Sequence, residues 1–148
     1  MTELEANKSA SRRLYEEVFS RGNLDAADEI MDAGAVSHGP GAPPSVGTAQ
    51  IKRQAMALRS AFPDFKVTLQ DQIAEGDRVC SRWTGGGIHT ADMVLPPPMG
   101  TVPASGKELA FDEIRVDRFD GGRIVESWFI PDRFTMWNAL GLIGTPRP

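Results

Sequence analysis

Apolar residues recur at helical spacing along the first third of the chain. Between about Ala6 and Arg21, Ala10, Leu14 and Val18 fall every four residues with Tyr15 and Phe19 beside them, forming one stripe that Gly22 ends. Asn23 then reads as the N-cap of a short helix with Leu24, Ala27, Ile30 and Met31 on one face, fading at Asp32-Ala33-Gly34. After the loop SHGPGAPPSVG, a third helix is predicted from about Thr48, with Ile51, Ala55, Leu58 and Phe62 inward and Pro63 as its stop.

From there the period changes to two. Phe65, Val67 and Leu69 alternate with polar residues, Glu75-Gly76-Asp77 turns the chain, and Val79, Ser81 and Trp83 open a second alternating run through Thr90. A third strand spans Leu109 to Phe119. Asp120-Gly121-Gly122 is a tight-turn signal, and Ile124 to Ile130 is a nearly all-apolar fourth strand suited to a central position. The proline-bearing loop from about Ala91 to Gly106 is too long for a simple turn and predicts a cover. Asp132 to Leu142 reads as a short terminal helix or lid. Helices followed by an antiparallel sheet specify an α+β fold: a cone-shaped α+β barrel, three N-terminal helices packed in a strongly curved, mainly antiparallel, four-stranded sheet, with the site inside. Residues 1–148 form a single domain in this reading, with about 1–6 and 144–148 frayed.

Composition narrows the function. The chain has 148 residues, a net charge of −4, one cysteine and no apolar run beyond Ala55-Met56-Ala57-Leu58. That is too short for a membrane span, and the polar start MTELEANKSASRR is no secretory signal, so the expected compartment is the cytoplasm. A pI near 5.2 with scattered basic residues argues against nucleic acid as a partner. Cys80 alone forms no intrachain disulfide and reads as a small buried apolar residue. No CxxC, HExxH or phosphate-binding glycine loop is present, and Gly85-Gly86-Gly87 lies inside a strand pattern, so neither a cofactor nor a metal is expected.

Carboxylates, arginine and two histidines remain as candidate chemistry. With Ile114 and Val116 at its middle, the face of the third strand carrying Asp112, Ile114, Val116 and Arg118 is predicted to look into the cone; Phe111, Glu113, Arg115, Asp117 and Phe119 then face out. Arg118 reads equally as a rim charge. Asp132, after Trp128-Phe129-Ile130-Pro131, is placed where apolar surroundings would raise its pKa and make it a base, or where it would simply cap a helix. His89, at a strand end, is either a neutral donor to a carbonyl oxygen or a surface residue. His38 lies in a loop before Gly39-Pro40.

The ordered set Arg12-Arg13-Leu14-Tyr15-Glu16-Glu17-Val18-Phe19, Gly22-Asn23-Leu24-Asp25, His38 with Pro40, Leu58-Arg-Ser-Ala-Phe-Pro-Asp-Phe, Ile73-Ala-Glu-Gly-Asp-Arg-Val, Arg82-Trp83-Thr84, His89-Thr90, Gly106-Lys107, Asp120-Gly-Gly-Arg-Ile-Val-Glu-Ser-Trp128 and Ala139-Leu-Gly-Leu resembles the SnoaL-like polyketide cyclase family over nearly the whole chain. The resemblance implies the cone shared with ketosteroid isomerases and limonene epoxide hydrolases, and cofactor-independent aldol cyclisation with one aspartate after the fourth strand as acid and base. Asp132 matches that place. Where those cyclases carry a histidine and a glutamine on the third strand, this chain has Arg118 and Val116. Some relatives instead help to hydroxylate a polyketide ring alongside a separate reductase.

Three readings are in play. In the first, a secondary-metabolism enzyme acts on a hydrophobic substrate, a polyketide-like or other cyclic carbonyl compound: Asp132 removes a proton, Arg118 with His89 or His38 stabilises the oxygen, and Tyr15, Trp83 and Trp128 are flat walls. In the second, hydrolysis or hydroxylation occurs in the same cone, because Arg115-Val116-Asp117 resembles the Arg-x-Asp of limonene epoxide hydrolases; Arg115 and Asp117 inside with Arg118 outside would put it ahead of the first. The third is a non-catalytic ligand-binding or dimerisation module, and a homodimer or homotetramer through the outer sheet face, with Phe111 and Phe119 on it, suits all three.

Overall fold

The computed structural model describes residues 1–95 and 97–144. Its elements run α1 (Glu3–Arg13), a π-helical stretch (Leu14–Ser20), α2 (Ala26–Ile30), β1 (Met31–His38), β2 (Ser45–Val46), α3 (Ala49–Ala61), β3 (Lys66–Glu75), β4 (Arg78–Ile88), β5 (Met93–Val94), β6 (Thr101–Val102), β7 (Glu108–Asp120), β8 (Arg123–Pro131) and α4 (Arg133–Ala139). The main sheet has six strands in the order β2-β1-β8-β7-β4-β3, antiparallel except for β1 against β8. This is the expected α+β architecture with two strands more than the hydrophobic pattern predicts. β1 is hidden because MDAGAVSH carries neither β-branched alternation nor bulk; pairing with β8, with a register shift between Met31 and Val36, makes it a strand.

The N-terminal helix opens on a built cap, and of the tail expected to fray, residues 145–148 lie outside the described residues. Glu5 donates its amide to Thr2 Oγ1 at 3.2 Å and accepts the Thr2 amide at 2.8 Å, a reciprocal cap that satisfies two helix-end donors. α1 runs straight into the π-helical stretch. The Arg59 guanidinium of α3 pins its end, donating to the carbonyls of Phe19 at 3.1 Å and Ser20 at 2.6 Å. The wider turn brings Leu14, Tyr15, Val18 and Phe19 inward together. They join Ile30, Phe62, Phe65, Trp83 and Ile124 in one core between helices and sheet. No helix among the described residues is long and apolar enough to cross a membrane.

The facing of β7 is the reverse of the sequence expectation. Arg115, Asp117 and Phe119 are buried and Phe111 packs against the core, whereas Ile114 is 49% exposed and Asp112 lies in solvent. The apolar residues at the strand's middle sit on the outer face beside Ile130, and the charged residues are inside. Phe111 and Phe119 are therefore core residues rather than an outer interface. Cys80, paired with Val116 on the same outer face, is exposed and not buried.

The long loop after β4 is a strap. β5 and β6 pair antiparallel, and the His89 amide donates to the Lys107 carbonyl at 2.9 Å while the Gly106 amide donates to the His89 carbonyl at 2.8 Å, closing its neck. Met93 of β5 and Val102 of β6 are its buried residues. The triple glycine lets β4 approach its neighbours: a Cβ on Gly86 would lie 2.3 Å from the Leu109 carbonyl oxygen, and one on Gly85 3.1 Å from the Phe65 ring. Gly86→Ala must displace backbone, so urea denaturation should show a loss of about 1–3 kcal/mol; unchanged stability would mean that the β4–β7 ladder yields freely.

Candidate functional site

Three charges alternate along the inner face of β7. Glu113, Arg115 and Asp117 stand at every second residue, bracketed by Phe111 and Phe119. Such a row inside a core is stable only if each charge is paired and each polar atom bonded. Asp117, wholly buried, meets that condition. Its Oδ1 accepts from Arg115 Nε at 2.6 Å and from Ser127 Oγ at 2.7 Å, and its Oδ2 accepts from Ser11 Oγ at 2.8 Å. Arg115 also donates through Nη2 to Ser127 Oγ at 2.9 Å, and its guanidinium lies 5.6 Å from the Tyr15 ring centroid. Burial works against the Arg115 charge, but Asp117, Tyr15 and Glu113 together more than offset that and hold it protonated.

One step along the strand, the Tyr15 hydroxyl donates to Glu113 Oε1. Helix and sheet meet here: the π-helical stretch supplies Tyr15, β7 supplies Glu113, and Trp83, opposite Glu113 on β4, stacks on Tyr15 at 4.4 Å. Burial pushes the Glu113 carboxyl above its ordinary range, with Asp117 adding to it, and this outweighs the lowering by Tyr15 and Arg115. Burial likewise raises the Tyr15 phenol, reinforced by the Glu113 charge. A carboxyl with raised proton affinity beside a phenol can accept a proton from carbon and return it.

Among the described residues, three buried polar atoms have no hydrogen-bond partner: the Trp83 indole Nε1, His89 Nε2 and Gln72 Oε1. His89 is fully buried at the neck of the strap, 5.2 Å from the Phe62 ring, so it is not a surface residue. Its Nδ1 accepts the Ser105 amide at 3.2 Å and lies 2.9 Å from Ser105 Oγ, so Nε2 is the ring nitrogen left without a partner.

The other sequence-predicted residues are distributed differently. Tyr15 and Trp83 are inside as expected. Asp132 caps α4, accepting from the Thr135 amide at 3.0 Å and hydroxyl at 2.5 Å, and these bonds hold its carboxyl below the ordinary range instead of above it. Arg118 is on the outer face, donating to Glu126 Oε1 at 3.2 Å, and does not reach the cone. His38 pairs with Glu126 at 2.8 Å and stacks on Trp128 at 5.4 Å on the same outer face, so Trp128 is no inner wall. Asp112, expected on the wall, accepts from Thr84 Oγ1 at 2.9 Å in solvent. The structure thus gathers Tyr15, Trp83, Glu113, Arg115 and Asp117 on the inner side and puts Arg118, His38 and Trp128 outside, while Asp112 and Asp132 line a cavity of about 210 Å³ that Glu113 also lines. Glu113, Ser11 and Ser127 are not predicted as site residues. The available signal was the pair Phe111 and Phe119 in phase with the charges: aromatic residues at both ends of one face mark it as the buried one.

Among the described residues, no three His, Cys, Asp or Glu side chains are grouped to hold a metal ion. A family model described as SnoaL-like polyketide cyclase matches residues 9–140. No protein of curated function matches the chain. Similar solved structures include a candidate SnoaL-like polyketide cyclase of Jannaschia sp. CCS1, at 20% identity over 97% of each chain with a TM-score of 0.81. A candidate polyketide cyclase of Acidithiobacillus ferrooxidans is 29% identical over 97% of this chain and 100% of that one, with a TM-score of 0.75. An epoxide hydrolase of limonene-hydrolase type from M. tuberculosis shares the fold at 16% identity, 94% and 92% coverage and a TM-score of 0.67.

Proposed function

This chain belongs to the SnoaL-like polyketide cyclase family, and from that premise we propose that it is a small-molecule enzyme that moves a proton in an apolar cyclic or aromatic carbonyl compound without a cofactor. The observation that carries this is the contact of Tyr15 with Glu113 inside the cone. Glu113, with one oxygen held by the phenol, removes a proton from the carbon next to the carbonyl; the electron pair moves onto the carbonyl oxygen; and the same carboxyl later returns the proton. The Trp83 N–H, buried without a partner, is the donor for that oxygen, and His89 Nε2–H is one for a second oxygen nearer the strap. A placed donor in a dry site contributes roughly 3 kcal/mol. Cyclisation or isomerisation both begin with this step. Asp132 remains the cap of α4 in this scheme, and the exposed Ile114 and Ile130 on the outer face fit a second copy of the chain.

A second reading is water addition, as in epoxide opening. Arg115 and Asp117 face inward and Arg118 outward, the arrangement expected to put it ahead of the first, and Glu113 and Asp117 flank Arg115. It stays second because both Asp117 oxygens are already engaged by Ser11, Ser127 and Arg115.

The test is deuterium uptake from heavy water by a panel of enolisable aryl ketones, followed by mass spectrometry. Wild type and Asp132→Asn should catalyse exchange, and Glu113→Gln should not. Exchange lost in Asp132→Asn but kept in Glu113→Gln would move the chemistry to Asp132. Labelled-oxygen incorporation into an epoxide panel, without ketone exchange, would establish the hydrolytic reading instead.

A further inference from the structure

Arg115 poses a problem for the proposed base. A permanent cation two residues away on the same strand face would hold Glu113 as a carboxylate of low proton affinity, since an opposite charge within about 4–6 Å lowers a carboxyl pKa by about 1–3. The structure places a second carboxylate where it answers this. Asp117 lies on the far side of Arg115, takes the guanidinium through Nε at 2.6 Å, and is itself fixed by Ser127 at 2.7 Å and Ser11 at 2.8 Å. Ser127 bonds both members of the pair, so neither the aspartate nor the arginine can swing toward Glu113 without breaking a buried hydrogen bond. Ser11 is on α1 and Ser127 on β8, so helix and sheet hold the pair from two sides.

We propose that Asp117 is a positioning residue for the acid–base site: by keeping the Arg115 guanidinium to itself, it stops that charge from locking Glu113 in its ionised form, and so leaves Glu113 free to exchange a proton. The inference rests on Glu113 being the proton-transferring group. The charged and titratable groups around Glu113 are Tyr15 from the π-helical stretch, Arg115 and Asp117 from β7 and Arg133 from α4, with Arg82 of β4, Asp112 of β7 and Asp132 at the start of α4 lining the same cavity. Asp117 is the one among them that sets how much of the Arg115 charge Glu113 feels. It does so without touching a substrate.

The experiment is a carbon-13 NMR titration of the Glu113 carboxyl, assigned by its disappearance in Glu113→Gln, in the protein without ligand. In Asp117→Asn the shape and several hydrogen bonds persist but the compensating charge is gone, so the Glu113 midpoint should fall by about one pH unit or more. In the double variant Arg115→Met with Asp117→Leu, both charges leave together and no unpaired ion is buried, so the fold should hold and the midpoint should stay at the wild-type value. An unmoved midpoint in Asp117→Asn overturns the proposal. So does a rise of a full pH unit in the double variant, which would mean that Arg115 acts on Glu113 uncompensated; this second arm decides the matter even if Asp117→Asn does not fold. These readouts need no turnover, so an active Glu113→Gln enzyme would defeat the functional reading while leaving the coupling of Asp117 to Glu113 intact or refuted on its own terms.

Discussion

Replacing Glu113 by Gln should lower turnover by about 10²–10⁴-fold, the usual contribution of a placed general acid or base, while circular dichroism remains that of the wild type. The amide keeps the size of the carboxyl and still accepts from Tyr15, so packing survives and only proton transfer is lost. The same substitution should raise stability in alkaline solution. Burial lifts the folded-state pKa of Glu113 above its unfolded value; the folded protein therefore binds the proton more tightly, and the stability this contributes is complete below the unfolded pKa and is lost as pH rises through the folded one. Gln has no such loss, so the gap in melting temperature between Glu113→Gln and wild type should widen from acid toward neutral pH. A variant that keeps wild-type turnover, or a gap that narrows over that interval, would remove Glu113 from the chemistry. The pattern sought is that of a working group carried at a cost to the fold.

Truncating Asp117 to Ala should be among the most damaging changes in the chain, at about 3–5 kcal/mol, because it strands Arg115 with its charge buried and takes the acceptor from Ser11 and Ser127. For a domain of this size each kcal/mol shifts the melting temperature by about 2–4 °C, so a drop on the order of 10 °C is expected in a thermal scan. Replacing both members of the pair by apolar residues should cost far less, since no uncompensated ion is left. A loss below about 1 kcal/mol in Asp117→Ala would mean that water reaches Arg115 and that the network is not closed.

The misread strand shows where pattern reasoning stops. On β7, Ile114 and Val116 are the apolar residues at the middle, and alternation assigns the apolar face to the core. Here that face is outside, and the charged one is inside because Ser11, Tyr15 and Ser127, from three other elements, satisfy its polar atoms. Nothing local to the strand reveals those partners, since Ser11 is 106 residues from Asp117 in sequence. The expected rise in the proton affinity of Asp132 fails for a simpler reason. The apolar residues before it suggest desolvation, but the carboxyl turns toward the open first turn of α4, where Thr135 stabilises its charge.

What the sequence determined by itself was the α+β class, the three N-terminal helices, the two hairpins and the family, because spacing of apolar residues, turn glycines and prolines are local signals that each element carries in its own residues. Tyr15 and Trp83 were also legible, as large aromatics on stripes already assigned to the core. Only the tertiary structure decided the parallel strand β1, the inward turn of Glu113, Arg115 and Asp117, and the outward place of Arg118, His38 and Trp128. The physical reason is the same in each case. A strand without its own pattern, or a charge inside a core, is stabilised by partners distant in the chain, and those partners are defined only when the helices close over the sheet.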